Sequence, residues 1–221
     1  MDLPAPAGLQ PATPPSSAHP RCEHAGAGGF QKKLAQGVEA QRQLHPDKRV
    51  EVWSQDEARL GLKPILRKVW ARKGQRPPAF HRTRYEWLYV YLFVHPASGK
   101  SSFLILPTVN SELMSLALQE FQQEVDPQGE KVILLLLDNA GWHRAKDLQV
   151  PPGLLLLHLP PYTPELSPAE PVVPLLREAV ANEHLPSLEV LEERLAQRCV
   201  YLQEHPEVIR EVAGFGWIPN E

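Results

Sequence analysis

Cysteine is scarce in this sequence: Cys22 and Cys199 are its only two in 221 residues. Two thiols cannot build a disulfide framework or a zinc knuckle, and they point to a reducing compartment. Long hydrophobic runs are missing too. No apolar stretch approaches the ~18 residues of a membrane span, and the N-terminus lacks the apolar core of a secretory signal. A soluble, cytoplasmic protein with no membrane partner is expected. There is no G-x-S-x-G elbow for a serine hydrolase and no H-E-x-x-H for a zinc protease. Internal repeats are absent. Net charge is also uninformative, since 23 Lys and Arg stand against 26 Asp and Glu, for a net −3.

That average hides a local asymmetry. Nine basic residues fall between positions 59 and 84 with no acid among them: Arg59, Lys63, Arg67, Lys68, Arg72, Lys73, Arg76, Arg82 and Arg84. Between Glu183 and Glu211 the balance reverses, with seven glutamates against three arginines. A basic stretch of this length is a candidate polyanion surface; the competing interpretation is an ordinary solvated face.

The length allows one domain with a real core and a tail. Residues 1–30 hold six prolines and few large apolar side chains, which predicts disorder. A short helical lead-in over 31–47 is expected, ended near Pro46, with the domain proper over 48–221. The segments "RVEVWSQDE" (49–57), "ILRKVWARKG" (65–74), "EWLYVYLFVHP" (86–96) and "SSFLILP" (101–107) alternate as strands. Leu113, Leu116, Ala117 and Phe121 have helical spacing, with Asn110 or Ser111 as N-cap. "VILLLLD" (132–138) and "LLLLHLP" (154–160) are apolar throughout, as in strands buried on both faces. A short helix after His143 and two final helices, roughly 168–182 and 187–204, complete the chain. The order predicts an α/β fold whose mixed sheet begins antiparallel and ends parallel.

Three acids occupy comparable positions in this scheme. Asp56 closes the first strand, Asp138 closes the central one, and Glu170 opens the helix after the last. Open α/β sheets place their sites beyond the carboxyl ends of parallel strands, and the four prolines of "LPPYTPELSPAE" would swing Glu170 over that edge. Two unit charges ~4 Å apart repel by roughly 4 kcal/mol at an effective dielectric of 20. Such a cluster is reasonable only with a cation inside it, and hard oxygen ligands favour Mg²⁺ or Mn²⁺. Each acid also has a structural explanation. Asp138 could cap a helix, Asp56 could pair with Arg59, and "SPAE" fits a capping box running from Ser167 to Glu170. By the same reasoning His143 could be merely satisfied, and Trp142 packing.

Four stretches, "VWSQDEARLGLKP", "VWARKGQRP", "LLLLDNAGWHRA" and "LPPYTPELSPAEPVVPLLREAVAN", together resemble bacterial insertion-sequence transposases of the mariner-like DDE superfamily. The similarity runs from about residue 48 to 204. It implies an RNase H-like fold, two Mg²⁺ or Mn²⁺ ions, and DNA as partner, both element ends and target, in a bacterial, nucleoid-associated protein. By motif match the catalytic, metal-holding acids are Asp56, Asp138 and Glu170, and the 31 residues between the last two suit the family. Glu57 is placed in support, with Asn139 and His143 orienting Asp138 or contacting DNA, and the basic stretch from Arg59 to Arg84 binding DNA.

Two departures accompany the resemblance. Relatives carry a helix-turn-helix module ahead of the first Asp, whereas only some 50 residues precede Asp56 here. That suggests either a second reading frame working with an upstream helix-turn-helix protein or as a self-dimer, or a decayed copy that only binds DNA or a full-length transposase. Val172 and Val173 also stand where the family commonly has tryptophan, and Pro171 and Pro174 crowd the same helix.

Overall fold

A computed structural model describes residues 25–63, 65 and 85–219 of the chain. Among them, five strands form one sheet: β1 (Arg49–Gly61), β2 (Trp87–Val94), β3 (Ser101–Leu106), β4 (Lys131–Leu137) and β5 (Leu154–His158), in the order β3-β2-β1-β4-β5. The β1–β2 and β2–β3 pairs are antiparallel, and β1–β4 and β4–β5 are parallel. This is the expected mixed α/β sheet. The central strand changes partners along its length: β1 pairs with β4 over Arg49–Ser54 and with β2 over Ser54–Gly61.

Helices cover both faces, which is why β4 can be apolar throughout. One face carries Trp53, Phe93, Ile133, Leu135 and Leu137 under α2 (Ser111–Val125), whose Met114, Ala117, Leu118 and Phe121 are buried. Phe121 stacks on Phe93 at 4.3 Å and meets Trp53 edge-on at 5.0 Å. Asn110 is the N-cap of α2, its side chain accepting from the Leu113 N–H at 2.8 Å. The opposite face is covered in two patches. Val50, Val52, Leu134 and Leu136 pack against α1 (Ala25–Leu44), while Ala58, Leu60 and Leu92 pack against α3 (Val173–Glu178), α4 (Leu188–Glu204) and α5 (Pro206–Ala213).

Several expectations need correction. Helix α1 begins at Ala25, inside the segment predicted to be disordered, because Phe30, Leu34 and Val38 recur every four residues and are buried as one stripe against the sheet. Strand β1 runs four residues past Glu57, since Ala58 and Leu60 continue its inward alternation. His143 lies within a 3-10 turn, Gly141–Arg144, rather than before a helix. The helix expected over 168–182 is broken into a 3-10 turn, Glu170–Val172, and the six-residue α3. Pro168, Pro171 and Pro174 recur every three residues, and none can donate to a preceding carbonyl, so Pro168 stands ahead of the 3-10 turn while Pro171 and Pro174 occupy the opening positions of that turn and of α3. Val172 and Val173, which replace the family's tryptophan, are buried in the core. Helix α5 was not anticipated: Pro206 stands at its start and Ile209 and Ala213 are buried four apart.

Gly99, in the turn joining β2 to β3, has φ +77°, and a Cβ there would collide with the Pro206 carbonyl at the start of α5. Cys199 is buried on α4, and burial pushes its thiol up to about 12, so it stays protonated. Among the described residues, no helix is long and apolar enough to cross a membrane. The strand expected over 65–74 lies outside the described residues apart from Ile65, which bridges to Ala181. The aromatic contacts of Phe121 predict that Phe121→Ala lowers stability by about 3–5 kcal/mol. In urea titration this appears as a lower midpoint with an unchanged slope.

Candidate active site

The change of partner in β1 creates the site. Ser54 is the last residue paired with β4, opposite Leu136. Two residues further on in each strand stand Asp56 and Asp138, at the same level and on the same face by alternation. That face is the one covered in two patches, and Asp56 falls between Val52 beneath α1 and Ala58 beneath the C-terminal helices. Glu170 begins the 3-10 turn that leads into α3. All three acids line one open cleft of about 440 Å³, together with Gln55, Asn139, Leu159, Tyr162 and Ser167.

The charges of these acids act on one another. Burial, then the negative charge of Glu170, pushes the Asp56 carboxyl up from 3.8 to about 7, with smaller contributions from Glu57 and Asp138. The Glu57 backbone N–H donates to Asp56 Oδ1 at 2.8 Å and opposes this shift only in part. Asp138 behaves in the opposite way. A hydrogen bond from His143 holds its carboxyl below the usual range.

His143 bridges the two sides of the site. It is 2% exposed, with Nδ1 at 2.7 Å from Asp138 Oδ1 and Nε2 at 2.9 Å from Glu57 Oε1. Burial alone would lower its pKa, but the hydrogen bonds and charges of Asp138 and Glu57 raise it to about 9. The ring is therefore an imidazolium at neutral pH, and both nitrogens donate. The Trp142 Nε1–H, 3.1 Å from His143 Nε2, cannot donate to a protonated nitrogen, so its acceptor is Glu57 Oε1 at 3.3 Å. Gln55 Nε2 donates to the same Glu57 oxygen at 2.8 Å. Glu57 Oε1 thus anchors His143, which anchors Asp138.

Other contacts fix the end of β4. Asp138 Oδ1 also accepts from the Ala140 N–H at 2.8 Å, so the expected capping role is partly realised as a turn. Both bonds fall on Oδ1, which leaves Oδ2 without a hydrogen bond among the described residues. His158 Nδ1 lies 3.1 Å from the Asp138 carbonyl, and Asn139 Nδ2 donates to the Leu159 carbonyl, tying β4 to the end of β5. The capping box is not formed: Ser167 closes the preceding 3-10 turn, and the turn starting at Glu170 has no side-chain cap. Arg59 does not pair with Asp56 either. It lies on the opposite side of the strand, its guanidinium 5.1 Å from the Trp87 ring centre.

The donor set is chemically suited to a hard divalent cation: three carboxylates in one cleft, with the Asp56 carboxyl raised by burial and then by the negative charge of its neighbours. Among the described residues, no three His, Cys, Asp or Glu side chains are already drawn into a cation cage. The freedom to close around an ion lies with Asp138, whose side chain is 63% exposed, and with the exposed Glu170.

Sequence reasoning missed Gln55 and Tyr162 as parts of the cleft and took Trp142 for packing. Gln55 could have been read from its place beside Asp56 in "SQDE". Tyr162 is 99% exposed with φ +59°, a left-handed conformation that costs a residue with a Cβ roughly 1–2 kcal/mol. Of the basic stretch, Arg59 and Lys63 are exposed; Arg67, Lys68, Arg72, Lys73, Arg76, Arg82 and Arg84 lie outside the described residues.

Residues 51–192 match the family model described as DDE superfamily endonuclease. An uncharacterized protein of Sinorhizobium fredii, y4pE/y4sA, is 40% identical over 92 residues, covering 42% of this chain and 67% of that protein. The Mos1 mariner paired end complex with Mn superposes with a TM-score of 0.52 at 17% identity, over 84% of this chain and 62% of that one. The catalytic domain of Mos1 mariner transposase gives a TM-score of 0.50 at 14% identity, over 84% of this chain and 91% of the domain. The fold is accordingly the RNase H-like one that the motifs implied, and the chain spans about three fifths of the Mos1 chain in that complex.

The raised Asp56 carboxyl has a consequence for stability. Between about pH 4 and 7 the folded chain keeps a proton that the unfolded chain has lost, so stability falls as pH rises through that window. Asp56→Asn removes this penalty. At pH 8 without divalent ions, the variant should be more stable than wild type in urea titration by on the order of 1–3 kcal/mol. The difference should shrink toward zero at pH 4, and Mg²⁺ should narrow it at pH 8. Equal stability at pH 8 would show that the carboxyl carries no such charge burden.

Proposed function

The chain belongs to the DDE superfamily of endonucleases, and from this premise we propose that it is the catalytic domain of a DNA transposase, acting on phosphodiesters at element ends. The observation that carries this reading is one cleft lined by Asp56, Asp138 and Glu170, side chains delivered by three distant parts of the chain. The catalytic unit comprises residues 48–221 with α1 docked on its sheet.

Asp56, Asp138 and Glu170 are the residues that would hold two Mg²⁺ or Mn²⁺ ions. Such ions, when bound, lower the pKa of a water or hydroxyl and neutralise charge on the attacked phosphate and the departing oxygen. The chain's own residues do the rest. Glu57 and His143 set the direction of Asp138, and Asn139 fixes the end of its strand against β5. His143 is buried with both nitrogens engaged, which favours its orienting role over DNA contact. In the first reaction a water oxygen attacks phosphorus and the strand's O3′ departs. In the second, that 3′-hydroxyl gives up its proton and its oxygen attacks a target phosphorus in the same cleft, the new P–O bond forming as the bond to the target strand's own O3′ breaks and that oxygen departs as a hydroxyl.

Arg59 and Lys63, with the basic residues that follow them, track the phosphates of the strand. Contacts of this kind give sequence-independent affinity that falls steeply with salt. An upstream helix-turn-helix protein or a second copy would supply sequence recognition, and the protein would work in the bacterial cytoplasm on the nucleoid.

The test is nicking of supercoiled plasmid by the purified chain with Mn²⁺. Wild type should convert plasmid to the open circle, and Asp138→Ala should lose roughly a hundredfold or more, the loss expected when a transition-state stabiliser is removed. Equal rates in the two proteins, or no metal-dependent nicking at all, would leave a fold that only binds DNA. His143→Gln should bind plasmid as tightly as wild type while nicking more slowly, because the defect lies in the aim of Asp138 and not in DNA contact.

A further inference from the structure

Tyr162 is the part of the cleft that the reaction described above does not use. The residue is 99% exposed, and no hydrogen bond of its hydroxyl occurs among the described residues. Its backbone is nevertheless held at φ +59°, where glycine or asparagine would sit with less strain. A ring that buries nothing returns nothing to the fold for that strain. Strain of this kind persists where the surroundings over-determine it, and it gathers at ligand sites.

The surroundings do over-determine it. Pro160 and Pro161 precede Tyr162, and Pro164 follows two residues later. Thr163 Oγ1 donates to the Pro160 carbonyl at 2.7 Å and closes the turn. The ring is therefore presented on a stiff support at the mouth of the cleft that contains Asp56, Asp138 and Glu170.

An aromatic face without an ionic partner recognises another flat surface. On a nucleic-acid strand whose phosphodiester enters this cleft, that surface is a nucleobase. Bases in an intact duplex are already stacked on both faces, so only an unpaired base can offer one. We propose that Tyr162 is a stacking platform for an unpaired nucleobase adjoining the phosphodiester in the cleft, holding the strand splayed so that the phosphate reaches the carboxylates. This rests on the cleft being a DNA-strand site.

The test compares the full chain's affinity, by fluorescence anisotropy at fixed salt, for (dT)₁₂ and for a twelve-unit abasic strand with the same backbone. Stacking of one base predicts roughly a fivefold to hundredfold preference of wild type for the base-bearing strand. Tyr162→Phe should keep that preference. Tyr162→Ala and Tyr162→Gly should bind both strands alike, while Tyr162→Gly unfolds at no lower urea than wild type, a combination that a purely structural tyrosine would not give. If Tyr162→Ala keeps the preference, or if wild type binds both strands equally, stacking is overturned and the cleft's assignment to DNA stands. If wild type binds neither strand, both fall together.

Discussion

The central strand has two neighbours that run in opposite directions, and everything at the site depends on where it exchanges one for the other. β1 leaves its parallel partner at Ser54 and continues with its antiparallel partner to Gly61. A strand that kept both partners would be flanked at Asp56 and its carboxylate would be hemmed in. Because β4 ends, the next residue along it is free to turn away, and Asp138 comes level with Asp56 across the gap. The helices respect the same boundary: α1 covers the sheet before it and the C-terminal helices cover it afterwards. The cleft is the seam between two packing units on one face.

Electrostatics then divides the acids into two kinds. Asp56 is half-buried and faces other carboxylates, so its proton is held up to about pH 7. Asp138 has an imidazolium at 2.7 Å and stays ionised well below that. The imidazolium is itself sustained by Glu57, whose Oε1 collects donors from Gln55, Trp142 and His143. One face of β1 therefore offers Asp56 to the cleft while the other holds Glu57 beneath it, and alternation along a single strand supplies both. A charged pair of this sort gains little net stability once desolvation is counted. Its value here is direction: it fixes one oxygen of Asp138 and leaves the other without a hydrogen bond among the described residues.

Much of this was legible in the sequence because it depends on period and position. Alternation through "RVEVWSQDE" and the continuous apolar runs of β4 and β5 are direct consequences of being buried on one or both faces; they place Asp138 at a strand end, whereas Asp56 lies within β1, which runs on to Gly61. The four motifs carry the resemblance to the family, which also implies supporting places for Glu57 and His143. What the pattern concealed was tertiary. The glycine-rich start of α1 looked unable to order, yet the Phe30, Leu34 and Val38 stripe has a sheet to bury against. The prolines of 168–174 were tolerable one at a time in a helix's first turn, and only their three-residue spacing forbids a continuous helix. Trp142 looked like packing because nothing local shows that its indole N–H would find a carboxylate 85 residues earlier.

The residues beside Asp56 hold two of the three buried side-chain polar atoms that lack a hydrogen-bond partner among the described residues, the third being Ser101 Oγ on β3. The two are Ser54 Oγ and Gln55 Oε1, beside a carboxyl crowded by like charges. Each unpaired buried group costs about 1–3 kcal/mol, and elsewhere in β1 comparable groups are satisfied, as where buried Glu51 meets Lys131 at 2.8 Å and the Trp53 indole at 2.8 Å. The contrast within one strand is informative: its first half is built for stability, and its second half tolerates unpaired polar atoms and negative charge that folding alone would remove. A fold shaped only by packing would place apolar residues at 54–56 and close the two helical patches over them, whereas here the seam between the patches stays open at Asp56. In the proposed function, compensation for this polar, charge-loaded stretch would come from the cations and the DNA strand that the cleft takes up.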